Sequence, residues 1–106
     1  MKELQITTLR NTDGSATVLL NGFIDAYSYG KLEKVFNELV EQGVYKFVVD
    51  LSQVDYLCSG GAGVLISVYG MAQENNGSIV LLNPTSKVKE VLELLGLSNV
   101  FSFTPK

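Results

Sequence analysis

Cys58-Ser59-Gly60-Gly61-Ala62-Gly63 is the part of this chain richest in residues that could do chemistry. A thiol and a hydroxyl stand side by side, and the glycines let backbone amides come close to a third group. The apolar run that begins at Val64 puts them at the start of a helix, where unpaired amides favour negative charge. Phosphate binding and thiolate attack are the chemistries that suit such a place. Small residues there also have a purely structural use, since they let a helix pack tightly on a sheet.

Each named motif can be tested against the spacing. A nucleotide-binding P-loop needs Lys-Ser or Lys-Thr after its last glycine, but Val64-Leu65 follows Gly63. A dinucleotide fingerprint over Gly61 and Gly63 would need a third glycine at position 66, which is Ile66. Thiolate attack on phosphate needs an arginine just downstream to hold the oxyanion. The sole arginine is Arg10, far away in the chain. Cys58 therefore reads as a small, partly buried residue. Asp50 and Asp55 could pair on a metal, although such residues more often bond turn amides, and no third ligand is spaced to join them. Tyr27, Tyr29, Tyr56 and Tyr69 read as ordinary packing with hydroxyls at the rim.

Composition removes whole classes of function. No histidine is present, which excludes Ser-His-Asp, Cys-His and His-metal sites together. One cysteine excludes an intramolecular disulfide and a cysteine zinc cluster. The net charge of −3, from 8 basic and 11 acidic residues, argues against nucleic acid, whose binders need a basic patch. The N-terminus lacks the apolar run of a signal peptide. The longest apolar stretch, Val64 to Ala72, is far below the ~18–20 residues of a membrane span. No membrane insertion and a reducing, cytoplasmic setting are expected.

The elements that must position these residues follow from periodicity. With 106 residues, of which 46% are hydrophobic, one domain spanning residues 1–106 is expected. Leu4–Arg10 and Ala16–Gly22 read as strands, and Asp13-Gly14 between them favours a tight hairpin turn. Leu32, Val35, Phe36, Leu39 and Val40 make a helical stripe, with Asp25 or Ser28 as cap and Gly43 as terminator. Tyr45–Asp50 reads as a buried strand, and Asp55–Gly63 as the turn after it. A second helix runs from Gly60 to Glu74 with Val64, Leu65, Val68, Tyr69 and Ala72 on one face. Ser78–Leu82 is a strand. A third helix starts at Pro84-Thr-Ser86, carries Val88, Val91, Leu92 and Leu95, and stops at Gly96. Asn99–Phe103 is a last short strand. The class is α/β, a mixed sheet built from a hairpin plus βα repeats. Right-handed crossovers place the helices mainly on one face.

The stretch Val48-Val-Asp-Leu-Ser-Gln-Val-Asp-Tyr-Leu-Cys-Ser-Gly-Gly-Ala-Gly-Val-Leu65 resembles the STAS domain of bacterial anti-sigma factor antagonists. That family's pattern is Asp-Leu-Ser, a spacer, then Asp-Ser-Ser-Gly-Leu-Gly. Gly22-Phe-Ile-Asp25, Asn76–Leu82 and Val91–Leu97 are similar to further family elements, in the same order. The resemblance implies a cytoplasmic binding module and no enzyme, with no cofactor. Its partner would be an anti-sigma factor with serine kinase activity, captured by the unphosphorylated form. It implies Ser59 as the phosphorylated residue, and Asp25, Cys58, Ser59, Gly60 and Gly61 as the partner-binding surface, and it leaves a homodimer open. Two departures stand out: Cys58 replaces the family's aspartate, and Gly60 its second serine. They leave an alternative, a STAS subunit or ligand-binding component of a transport or signalling complex that is never phosphorylated.

Overall fold

The chain enters the fold through a hairpin whose turn is held by one carboxylate. Asp13 accepts from both the Ser15 amide (2.9 Å) and the Ser15 hydroxyl (2.6 Å). Gly14, at φ +90°, takes the left-handed backbone that this turn requires. The strands it joins, β1 (Gln5–Arg10) and β2 (Ala16–Ile24), pair antiparallel from Arg10 opposite Ala16 to Gln5 opposite Asn21. The expected hairpin is present.

The structure is a computed structural model and describes residues 3–97 and 101–104. After the hairpin come α1 (Tyr29–Glu41), β3 (Lys46–Leu57), α2 (Ser59–Glu74), β4 (Ser78–Leu82), α3 (Ser86–Leu94) and β5 (Ser102–Thr104). Among the described residues the sheet has five strands in chain order, and every pair after the first is parallel. Each parallel step is a strand–helix–strand crossover, so the helices stack along one side. The start of the expected last strand, Asn99-Val100, lies outside the described residues.

Burial shows which side the helices cover. In β2, Ala16, Val18, Leu20, Gly22 and Ile24 are buried, while the residues between them are half-buried or exposed. Phe47, Val49 and Leu51 of β3 and Ile79 and Leu81 of β4 continue that face. Leu32, Phe36 and Leu39 of α1, Val64, Leu65 and Val68 of α2, and Val88 and Leu92 of α3 close one core over it. Phe36 meets Phe47 edge to face at 5.3 Å between centroids, an arrangement aromatic rings favour. The helical stripes therefore point where their spacing requires. Leu95 is the exception: it is the C-terminal cap of α3 and stays 45% exposed, because the helix has already ended beneath it.

Leu92→Ala and Leu39→Ala should each destabilise the domain by ~2–5 kcal/mol, the usual cost of emptying a packed site. Chemical denaturation reads this directly, and a loss below about half a kcal/mol would mean that the residue is solvated. Asp13 has its pKa lowered below the ordinary 3.8, first by the Ser15 hydroxyl and then by the Ser15 amide. A depressed carboxylate stabilises the fold above its unfolded pKa, and that contribution is lost as pH falls through the folded value. The stability gap between wild type and Asp13→Ala should thus be widest near neutrality. It should shrink below pH 3.8 in a pH series of melts.

Candidate functional site

Where β2 and β3 end, two chain segments turn from sheet to helix side by side. The Cys58 amide donates to the Ile24 carbonyl at 2.8 Å, the last rung between the two strands. β3 reaches this point because it is longer than periodicity suggested. Asp55, Tyr56 and Leu57 are strand residues, not part of a turn. Two bulges carry the strand on: Leu19 to Asn21 faces Asp50 to Gln53, and Gly22 to Phe23 faces Val54 to Tyr56. Each adds one residue on the β3 side and increases the local bend. Asp50 holds the first bulge, accepting from the Ser52 amide (2.9 Å) and hydroxyl (2.7 Å). Among the described residues no group of three carboxylate or cysteine side chains could hold a metal.

The expected nine-residue turn thus shrinks to a single extended residue, Cys58, at φ −84° and ψ 167°. It is the N-cap of α2, and its half-buried sulfur accepts from the Gly61 amide at 3.4 Å. Sulfur is a weak acceptor, so this is a modest cap. Ser59 is the first residue of the helix and is exposed. Gly60 lies under the Tyr29 ring, where a Cβ would come within 3.1 Å of it. A Cβ on Gly61 would come within 2.5 Å of Ile24 and 2.8 Å of Leu57. The two glycines are small because α1 and the strand ends press against them.

Asp25 begins the neighbouring turn. Its Oδ1 accepts from the Tyr27 amide at 3.0 Å, and its own amide donates to Ser28 Oγ at 2.9 Å. Ser28 occupies the N-cap position of α1 without capping it: its hydroxyl reaches back to the Phe23 carbonyl (2.8 Å) and Asp25 Oδ1 (3.1 Å). Asp25 therefore shapes the turn, and Ser28 ties it to the end of β2. A hollow of about 360 Å³ opens beside it, lined by Glu3, Leu4, Phe23, Asp25, Tyr27 and Lys31 among others. Lys31 Nζ donates to the Leu4 carbonyl at 2.7 Å. Tyr27 stands 92% exposed over this hollow.

The fold brings Asp25 and Cys58 to adjacent strand ends and sets Ser59 next to them. Glu3, Phe23, Tyr27 and Lys31 join the same end of the sheet. Tyr27 carried a signal in its place just after a strand, whereas Glu3 arrives only because Gly22, at φ +116°, lets the Glu3 carbonyl approach. The four tyrosines form no single cluster. Tyr56 meets Phe23 at 6.2 Å between centroids, Tyr29 covers Gly60, and Tyr69 meets Phe101 at 5.8 Å.

Residues 7–103 match the family described as "Mlab, STAS domain". The chain belongs to the STAS family. Its curated relatives include BtrV of Bordetella bronchiseptica, named as a candidate anti-sigma factor antagonist. That protein is 29% identical over 94 residues, covering 89% of this chain and 81% of the relative. The anti-sigma-B factor antagonist of Bacillus subtilis is 26% identical over 98 residues, covering 92% and 89%. Among solved structures, the anti-sigma factor antagonist SpoIIAA in its unphosphorylated form superposes with a TM-score of 0.84 at 17% identity. The overlap takes in 96% of this chain and 88% of that one. Within this STAS domain no described helix is long and apolar enough to cross a membrane.

Gly61→Ala should destabilise the STAS fold by ~1–3 kcal/mol, because the added methyl overpacks Ile24 and Leu57. Gly63→Ala, which meets nothing within 4 Å, should cost no stability. Equal melting temperatures for the two variants would contradict this packing.

Proposed function

We propose that this STAS domain, residues 1–106, is an anti-sigma factor antagonist switched by phosphorylation of Ser59. The unphosphorylated form binds an anti-sigma factor with serine kinase activity; the phosphorylated form lets it go. The observation that carries this reading is the placement of Ser59: an exposed hydroxyl on the first residue of α2, beside Asp25 and the hollow under Tyr27. The relatives named as anti-sigma factor antagonists support the class of partner. SpoIIAA, which has the same fold, is known in unphosphorylated and phosphorylated forms, so this fold tolerates a phosphoryl group.

Physical chemistry explains how such a switch would work. A phosphoserine carries about −1.5 to −2 charges at pH 7. At a helix start the first amides have no intrahelical acceptor and can take up that charge without refolding. A partner surface that packs closely over Ser59 would have to desolvate the phosphate, and binding would weaken. On this reading the chain is a cytoplasmic binding module and not an enzyme. It needs no cofactor, and its partner surface is formed by Asp25, Cys58, Ser59, Gly60 and Gly61.

Cys58 tunes the acceptor. A thiol beside Ser59 leaves it without the adjacent carboxylate found in the family pattern. Ser59→Ala should stay folded and bind the partner while losing all phosphate incorporation. Ser59→Asp should fold but bind more weakly, with a partial effect because aspartate has one charge and a shorter reach. Cys58→Asp should be phosphorylated faster. Incubation with the cognate kinase and ATP, phosphosite mapping by mass spectrometry and a binding assay test all three. Phosphate on another residue, or equal binding by wild type and Ser59→Asp, would overturn the switch. It would favour the non-phosphorylated subunit of a transport or signalling complex, a reading that the Cys58 and Gly60 departures suit.

A further inference from the structure

On the sheet face opposite the helices lies a second polar feature, remote in the fold from the strand ends that carry Ser59. Asp50 is only 8% exposed, the one charged side chain that is buried among the described residues. Its register neighbours Leu19 on β2 and Leu82 on β4 are half-buried aliphatic residues. Oδ1 takes both bonds from Ser52, and no described residue donates to Oδ2. No described cation pairs with the carboxylate. Lys46, on the same strand, is four residues away, about 13 Å at the ~3.3 Å rise of a strand. Among the described residues no buried polar side-chain atom lacks a partner, so the second carboxylate oxygen stays open to water at the hollow.

The carboxylate lines a hollow of about 250 Å³ on β1, β2 and β3, together with Gln5, Thr7, Asn21, Ser52 and Gln53. Amide oxygens and hydroxyls there surround a single negative charge. An ammonium would satisfy the charge with three donors on one point. A guanidinium has five donors in a plane and can bond the carboxylate and the neutral acceptors at once. The volume falls below the ~300–1,000 Å³ of ordinary small-molecule sites. It suits one side chain projecting from a larger surface.

We infer that this hollow is a second binding site, which takes the guanidinium of an arginine presented by a partner protein against the open sheet face. Asp50 is its anchor, and the half-buried aliphatic residues around it supply apolar contact. The site is separate from the Ser59 turn, so two surfaces of the domain can be engaged at once.

The test is an NMR titration of the labelled protein with N-acetyl-arginine methylamide, and in parallel with the citrulline analogue, its neutral isostere. Backbone amides of Gln5, Asn21 and Gln53 should shift and saturate at millimolar arginine derivative, with Ser59 unmoved. The citrulline analogue should bind at least about tenfold more weakly, because it forfeits the charge-assisted bonds. Asp50→Asn should abolish the response. Since that change could also disturb the Ser52 bonds, Gln53→Lys provides a second variant: it sets an ammonium at the exposed rim and should block the site while leaving the fold intact. Absence of shifts at the three amides would overturn the inference, as would equal responses to both probes or a response that survives Gln53→Lys. Micromolar affinity for the free derivative would overturn the assignment to a protein side chain and point to a small-molecule ligand.

Discussion

The hydrogen bond from the Cys58 amide to the Ile24 carbonyl, 2.8 Å long, fixes where both segments leave the sheet. It closes the parallel pair of β2 and β3, so Asp25 and Cys58 emerge at the same level. The two helices that follow must then start side by side, and every later contact at this end inherits that closeness. Tyr29 comes to lie over Gly60, and Gly61 is pressed against Ile24 and Leu57. Any side chain at Gly61 would push α2 away from the rung that places it. Glycine there is a packing requirement first, and the exposure of Ser59 is its consequence.

That rung depends in turn on the two bulges of β3. Without them an unbroken register from Leu19 and Asp50 would set Asp55, not Leu57, opposite Ile24, and Cys58 would miss its rung. Asp50 supports the first bulge through Ser52 and stays buried on the open face. One residue thus serves the strand that positions the Ser59 turn and also forms the floor of the hollow on the opposite side. The core beneath explains why the arrangement holds. Alternating residues of β2, β3 and β4 and three helical stripes close over one face only, leaving the other to polar and half-buried residues.

Cys58 caps α2 with a soft acceptor. An N-cap needs an acceptor for an amide in the first helical turn, and oxygen is the usual one. Sulfur does the same work here at 3.4 Å, less strongly. The thiol caps the helix start where the family pattern has a carboxylate. A phosphoryl group at Ser59 would meet helix-start amides on one side and a thiol, where the family pattern has a carboxylate, on the other.

The hairpin, the three helices and the buried stripes were legible in the sequence, because each rests on local chemistry. Asp13-Gly14 makes its turn within five residues. The spacing of Leu32, Phe36 and Leu39, or of Val88 and Leu92, marks one helix face wherever the helix is placed. The order of elements, with right-handed crossovers, then put the helices on one side. Periodicity could not see the length of β3: its bulges break the alternation of buried residues between Asp50 and Leu57, and only pairing with β2 keeps that segment extended. The same limit holds for the sites. Cys58 and Ser59 were legible as residues at a helix start. The fit of Gly60 under Tyr29 and of Gly61 against Ile24, and the approach of Glu3 to Gly22, arise between segments far apart in the chain. They needed the assembled fold, since each is a contact between elements that meet only when hairpin, helices and sheet have come together.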